Sequence, residues 1–288
     1  MKLTELFEKN TFVKTVELEP PKGTDTKIFL EKADSLKESV QFFNVTDQQS
    51  AVMRAGSLIG CSILKEKNLE PILQISCRDR NRIALQSDLL NAAILGIENV
   101  LVITGDHPYL GDHPDAKAVF DLDSVQLLQA IERLNNGEDM AGNKLEGNFS
   151  LCCGAVFTPS ADNPELELIK IEKKIKAGAK FFQTQAIFDV ESFNSIMNSV
   201  KDFNIPVMAG ILILKSEKMA NFMNRQIAGI KVPEEIIKRM EKAEDKRKEA
   251  VDIAVSIIDE VKDKCQGIHI MGLGWEDLIP EIIQKSSL

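Results

Sequence analysis

The stretch Asn99-Val100-Leu101-Val102-Ile103-Thr104-Gly105-Asp106 decides the fold. Four large apolar residues are followed by a hydroxyl, a glycine and a carboxylate. A short unbroken apolar run bounded by polar residues suits a parallel strand covered on both faces, since a strand with one wet face alternates. In α/β folds the chemistry gathers where such strands end. Asp106 is therefore a candidate site residue from the outset.

Working outward, similar runs recur at residues 12–18, 41–46, 71–76, 150–157, 181–184, 206–214 and 267–271, which with 99–104 makes eight candidate strands. Residues 26–37, 50–67, 80–95, 124–134, 165–177 and 190–200 between them carry helical spacing. The first four strands begin about 28 residues apart, the length of one strand-helix unit. Eight units predict a closed (β/α)8 TIM barrel, a single domain over residues 1–288; an open doubly wound sheet is the alternative. Residues 105–123 and 136–149, rich in Gly, Asp, Asn and Pro, flank the fourth helix. The first of these follows a strand's C-terminal end, where barrels place their working loops. Residues 232–262 are charge-dense with apolar residues at helical spacing, and read as outer-ring helices with a solvated face.

A formal net charge of −9 over 288 residues argues against a nucleic-acid or anionic-membrane surface. A small molecule or another protein is the expected partner. No signal-peptide core opens the chain and no apolar stretch reaches the roughly 20 residues of a membrane span, so a cytoplasmic protein is expected. Cys61, Cys77, Cys152, Cys153 and Cys265 lack Cys-x-x-Cys spacing and read as reduced, buried thiols.

The strand ends carry the candidate chemistry. Thr15, Glu17 and Glu19 share one face of the first strand. On an edge strand they would point to water; inside a barrel mouth, crowded carboxylates suit general acid chemistry. The second strand exits as Thr46-Asp47-Gln48-Gln49-Ser50, with Ser50 placed to cap the next helix. The third, carrying Gln74, exits into Arg78, Arg80 and Arg82. These three arginines would clamp an anion unless neighbours such as Asp79 neutralise them. Gln183 and Gln185 share a face of the sixth strand, and their amides suit a heterocycle with alternating donors and acceptors. His107, Asp112 and His113 fit no tight ligand set and read as turn residues, so no metal is expected. The standard dinucleotide, phosphate and nucleophile-elbow loops are absent from the sequence.

Taken in order, Val16-Glu17-Leu18-Glu19-Pro20-Pro21, Val45-Thr46-Asp47, Arg78-Asp79-Arg80-Asn81-Arg82, the run 99–106, Ala177-Gly178-Ala179 and Thr184-Gln185-Ala186-Ile187-Phe188-Asp189 resemble the methylenetetrahydrofolate reductase family. The resemblance covers nearly the whole chain, and is to the short bacterial form found in anaerobes that use the reductive acetyl-CoA pathway. It implies a flavin-containing (β/α)8 barrel, with FAD or alternatively FMN, that reduces 5,10-methylenetetrahydrofolate to 5-methyltetrahydrofolate. Glu17 falls on the family's general acid and Asp106 on the carboxylate beside flavin and pterin. Gln185 falls on the glutamine that holds folate, with Gln183 and Thr46 beside the substrate. Thr46, Gln74, Thr104, Gly105, Asp106, Ala155, Phe157 and Lys174 match flavin-contacting positions. Gln74 replaces a histidine of several relatives, and Lys215-Ser216-Glu217-Lys218 lacks the aromatic residue that some relatives stack on nicotinamide or folate. The implied electron donor is NAD(P)H or an accessory electron-transfer subunit, and the implied assembly a homo- or hetero-oligomer. Two other kinds of folate barrel are a cobalamin-linked methyltransferase without flavin and a folate-binding subunit of a larger complex.

Overall fold

The computed structural model describes residues 1–147 and 150–288. All eight predicted strands form: β1 (Val13–Leu18), β2 (Phe42–Val45), β3 (Glu70–Ser76), β4 (Asn99–Ile103), β5 (Cys152–Phe157), β6 (Phe181–Ala186), β7 (Val207–Leu212) and β8 (Gly267–Met271). Each pairs in parallel with the next, and β8 pairs back onto β1. The sheet is therefore a closed barrel, and the open-sheet alternative falls. Helices alternate with the strands. The long interval after β7 holds three, Glu217–Gln226, Glu234–Lys242 and Lys246–Val261.

Closure explains the unbroken apolar runs. Successive side chains point to opposite faces, and here both faces are dry. Val100 and Val102 of β4 join the large core between strands and helices, whereas Leu101 points into the barrel. Inside, Val13, Phe42, Ile72, Leu101, Cys152, Phe181 and Met208 pack together over the N-terminal end of the barrel. Gly154 belongs to this face because Phe181 lies across it: a Cβ there would sit 2.3 Å from the ring. The helix Leu3–Glu8 plugs the end from below with Leu3 and Phe7. Asn99 holds the plug by accepting from the Leu3 N–H and donating to the Met1 carbonyl, each at 2.8 Å.

Two expectations change. The helix predicted over 50–67 is the shorter Ser57–Glu66, with Gly56 at its N-cap, so Ser50 caps nothing. Residues 48–51 instead form a tight turn in which Gln48, Ser50 and Ala51 have positive φ. The predicted loop 136–149 forms an antiparallel bridge between Glu138 and Lys144, and its last two positions lie outside the described residues. All five cysteines are free and buried. Burial pushes the thiols of Cys77 and Cys153 up to about 12. No described helix is long and apolar enough to cross a membrane.

Candidate active site

Above the apolar plug the barrel interior turns polar, because the inward positions of the next layer are Thr15, Asn44, Gln74, Gln183 and His269, all buried. Asn44 Nδ2 donates to Gln183 Oε1 across the barrel at 2.8 Å. Thr15 Oγ1 and His269 Nδ1 lie 2.8 Å apart. One step nearer the C-terminal mouth stand Glu17, Thr46 and Ser76. The Glu17 side chain is 10% exposed, its Oε2 lies 3.9 Å from His269 Nε2, and Gln49 Nε2 donates to its Oε1 at 2.8 Å.

This layer is poorly satisfied. Asn44 Oδ1, Thr46 Oγ1, Gln49 Oε1, Ser76 Oγ and His269 Nε2 are buried without a hydrogen-bond partner among the described residues. An unpaired buried polar atom costs about 1–3 kcal/mol, and folded proteins seldom leave five in one place unless something else fills the bonds. Their mixture of acceptors, hydroxyls and a ring nitrogen suits a ligand edge bearing both donors and acceptors.

The rim carries the remaining candidates. Thr104, Gly105 and Asp106 follow β4, with Thr104 and Asp106 exposed. Gly105 has φ of +88°, and a Cβ there would stand 3.1 Å from Arg78 Cβ and Ser76 Cβ, so both conformation and space call for glycine. The Asp106 carbonyl accepts from Arg78 at 3.3 Å; its carboxylate forms no ion pair among the described residues and remains available to a ligand. Gln185 is exposed at the rim, where the β6–β7 register shifts between Gln183 and Ala186. Gly210 permits that shift: its N–H donates to Thr184 Oγ1 at 2.8 Å, and a Cβ would sit 2.5 Å from the Thr184 carbonyl.

Three candidates stand behind the barrel wall. Ala155 and Phe157 point to the helix layer, Phe157 packing edge-on against Phe182 with ring centroids 5.8 Å apart. Lys174, on the helix Pro164–Lys176, donates to the Val156 carbonyl at 2.6 Å, and burial lowers its affinity for a proton.

The arginines each find a carboxylate. Arg78 grips Asp79 through two bonds of 2.8 and 2.7 Å. Arg80 bridges buried Asp47 and Asp88, and Arg82 grips Asp121, holding that carboxyl at about 2. They are neutralised, as the Asp79 alternative allowed, and Asp47 also accepts from the Ser76 N–H at 2.8 Å, tying the exits of β2 and β3 together. Asp112 fastens loops, accepting from Lys22, from the Met53 N–H at 3.0 Å and facing His113 Nδ1 at 2.8 Å. Among the described residues no group of three or more His, Cys, Asp and Glu is placed to hold a metal. Lys215 donates to the Leu273 carbonyl and lies 5.7 Å over the Trp275 ring, which Arg247 also approaches at 5.1 Å.

Asn44, Gln49, Ser76 and His269 were absent from the sequence-derived candidates. The alternation that selected Glu17 also selects Asn44, two before Thr46, Ser76, two after Gln74, and His269 in Gly-Ile-His-Ile-Met. Gln49 leaves no such trace, because its segment has helical spacing.

A closed parallel barrel with an acid and unpaired amides and hydroxyls at its C-terminal mouth belongs to the class of barrel proteins that bind small polar molecules there. Within that class, the methylenetetrahydrofolate reductase profile matches residues 2–287, and the chain belongs to that family. It is 26% identical over 264 residues to methylenetetrahydrofolate reductase 2 of Schizosaccharomyces pombe, covering 81% of this chain and 39% of that one. It is 26% identical over 208 residues to the 5,10-methylenetetrahydrofolate reductase of Pectobacterium carotovorum, covering 69% of this chain and 63% of that one. The chain thus spans less than two thirds of the length of these relatives. An uncharacterized protein from Clostridium thermocellum that binds two copies of 5-methyl-5,6,7,8-tetrahydrofolic acid shares the fold, with a TM-score of 0.63, 17% identity, and coverage of 99% of this chain and 98% of that one.

Proposed function

We propose that this chain reduces 5,10-methylenetetrahydrofolate to 5-methyltetrahydrofolate with the help of a flavin, FAD or FMN, bound at the C-terminal mouth. The observation that carries the proposal is Glu17: a largely buried carboxyl beside a cluster of unpaired polar atoms, in a chain of this family. Folate is also the ligand of the Clostridium thermocellum barrel of the same fold.

The chain's own residues divide the work. Glu17 gives its proton to the amine nitrogen that leaves the methylene carbon as the five-membered ring opens. His269 Nε2, 3.9 Å away, borders the carboxylate that results. Asp106 steadies the cationic one-carbon unit from the rim, where its carboxylate forms no ion pair among the described residues. Gln185 holds the pterin, with Gln183 and Thr46 below it. A bound reduced flavin supplies the hydride. Unpaired Thr46 Oγ1 and Ser76 Oγ would hold one edge of such a flat ring, and Gln74, Thr104, Gly105 and Asp106 line the same mouth. Ala155 and Phe157 would meet it through backbone, braced by Lys174. NAD(P)H or an accessory subunit would supply the electrons. The segment Lys215–Lys218 offers no aromatic ring and Trp275 is covered by two cations, which favours the subunit.

The test is to identify the flavin released from anaerobically purified protein, then to assay methylenetetrahydrofolate reduction with NADH, NADPH and an accessory electron-transfer protein. Flavin with folate reduction by at least one donor is expected. A colourless protein that binds folate, or a flavoprotein inert toward methylenetetrahydrofolate with every donor, overturns the proposal.

A further inference from the structure

Glu17 receives one hydrogen bond from a side chain among the described residues, and it comes from Gln49, 32 positions along the chain. The loop that delivers Gln49 adopts an unusual backbone for the purpose. Gln48, Ser50 and Ala51 have φ of 45°, 54° and 57°, left-handed conformations that residues with side chains avoid. Strained backbone persists only where its surroundings over-determine it, and here they do. Arg78 donates to the Gln48 carbonyl at 3.4 Å through both terminal nitrogens, and the Ala51 N–H bonds the same carbonyl at 3.0 Å. Gly111 lets the Ala51 carbonyl come so near that a Cβ would lie 1.9 Å from its oxygen. Asp112 takes the Met53 N–H at 3.0 Å. The β3 exit and the β4 loop therefore clamp the β2 loop from two sides.

The fastened loop exposes Ser50 and buries part of Gln49. The Gln49 amide is held at its donor end by Glu17, while its Oε1 is buried and unpaired. This orientation suits a carboxylate, since with the amide oxygen turned to it two acceptors would face each other. A side-chain amide has one further property. Rotating its terminal torsion exchanges donor and acceptor, so the same residue can donate to an ionised carboxylate and accept from a protonated one.

We infer that Gln49 is the positioning residue for Glu17, a two-way amide that holds the carboxyl in line in both protonation states as its proton leaves for the substrate amine and is later replaced by one from solvent at the open mouth. The inference rests on the proposed folate reduction. It goes further in assigning the work to a residue that touches the acid and not the reacting carbon. The proton lost by Glu17 is gained by the amine nitrogen; Gln49 itself ends unchanged.

The test compares wild type, Gln49→Met and Gln49→Lys as flavin-loaded proteins. Met removes both donor and acceptor at similar length, and Lys keeps a donor alone. Three quantities are read: the rate at which methylenetetrahydrofolate reoxidises the reduced flavin, the rate of flavin reduction by dithionite, and the Kd for the flavin. Both variants are expected to slow the first by about 10- to 100-fold, the scale of a misplaced catalytic group, while the other two stay within about two-fold. An unchanged folate step in Gln49→Met overturns the positioning role. A wild-type rate in Gln49→Lys overturns the two-way amide. Parallel losses in all three quantities show a residue that only supports the loop, and also overturn the inference. A wild type that holds flavin but fails to reduce methylenetetrahydrofolate overturns the proposed reaction itself, and this assignment with it.

Discussion

The two ends of this barrel are made from the same eight strands and obey opposite rules. At the N-terminal end Val13, Phe42, Ile72, Leu101, Cys152, Phe181 and Met208 close around the plug residues Leu3 and Phe7, and the buried amide there, Asn99, spends both of its ends on backbone. At the C-terminal mouth, a few residues further along those strands, five buried polar atoms go unpaired among the described residues, and a neighbouring loop holds three residues in left-handed conformations. Satisfied apolar packing stabilises, whereas unpaired polarity costs stability and is kept where a ligand completes it. Substitutions should therefore separate cleanly: changes at the plug alter folding and leave chemistry alone, and changes at the mouth do the reverse.

The largest separation is expected at Glu17. Glu17→Gln should lower methylenetetrahydrofolate reduction by about 10² to 10⁴-fold, the usual worth of a general acid, with thermal midpoint and flavin content close to wild type. Turnover near wild type would remove Glu17 from the chemistry. At the other end, Phe181→Ala should cost about 3–5 kcal/mol in denaturant unfolding while the folded protein binds 5-methyltetrahydrofolate normally. A large change in Kd would mean that the two ends are coupled. Asn99→Ala, which unfastens the plug, should cost about 1–3 kcal/mol and leave kcat unchanged. Gly111→Ala drives a Cβ into the Ala51 backbone, 1.9 Å from its carbonyl oxygen, and should slow the folate step up to about tenfold through the loop that carries Gln49 while lowering the thermal midpoint; stopped-flow reoxidation and a melting curve together decide it. Smallest is Asp121, half-buried on the long β4 loop and belonging to neither end. Arg82 holds its carboxyl at about 2, below its ordinary value of 3.8. The depressed folded value means that the pair's stabilisation is present above 3.8 and is lost as pH falls toward 2. Wild type and Asp121→Asn should thus differ slightly in denaturant midpoint at pH 5 and converge near pH 2, a convergence that equal midpoints at pH 5 would contradict.

Much of this contrast is written along single strands. The run Val100 to Ile103 announces a strand buried on both faces, and eight such runs at barrel spacing leave little choice of architecture. Alternation on β1 places Glu17 and Thr15 inside, and the same rule applied to β2, β3 and β8 selects Asn44, Ser76 and His269. The three arginines were ambiguous for a physical reason: whether a guanidinium is free depends on carboxylates such as Asp47 and Asp121, 33 and 39 positions away. Residues 50–67 misled because their helical spacing is genuine only from Ser57. The turn before it is imposed from outside by Arg78, Gly111 and Asp112, which no local pattern reveals.

What the sequence by itself determined is the number of strands, their burial on both faces, their alternation with helices at barrel spacing, and the delivery of Glu17, Asp106 and Gln185 to strand ends, while the pairing of β8 with β1 closed the barrel. Periodicity and apolar runs encode these, and they are local properties of the chain. What only the tertiary structure decided is who meets whom at the mouth: Gln49 with Glu17, Asn44 with Gln183, Arg78 with the Gln48 and Asp106 carbonyls, and which polar atoms are left without a partner. Those meetings depend on barrel closure and on loops held in conformations that their own residues disfavour. Such energies come from distant parts of the chain and cannot be read from neighbours in sequence.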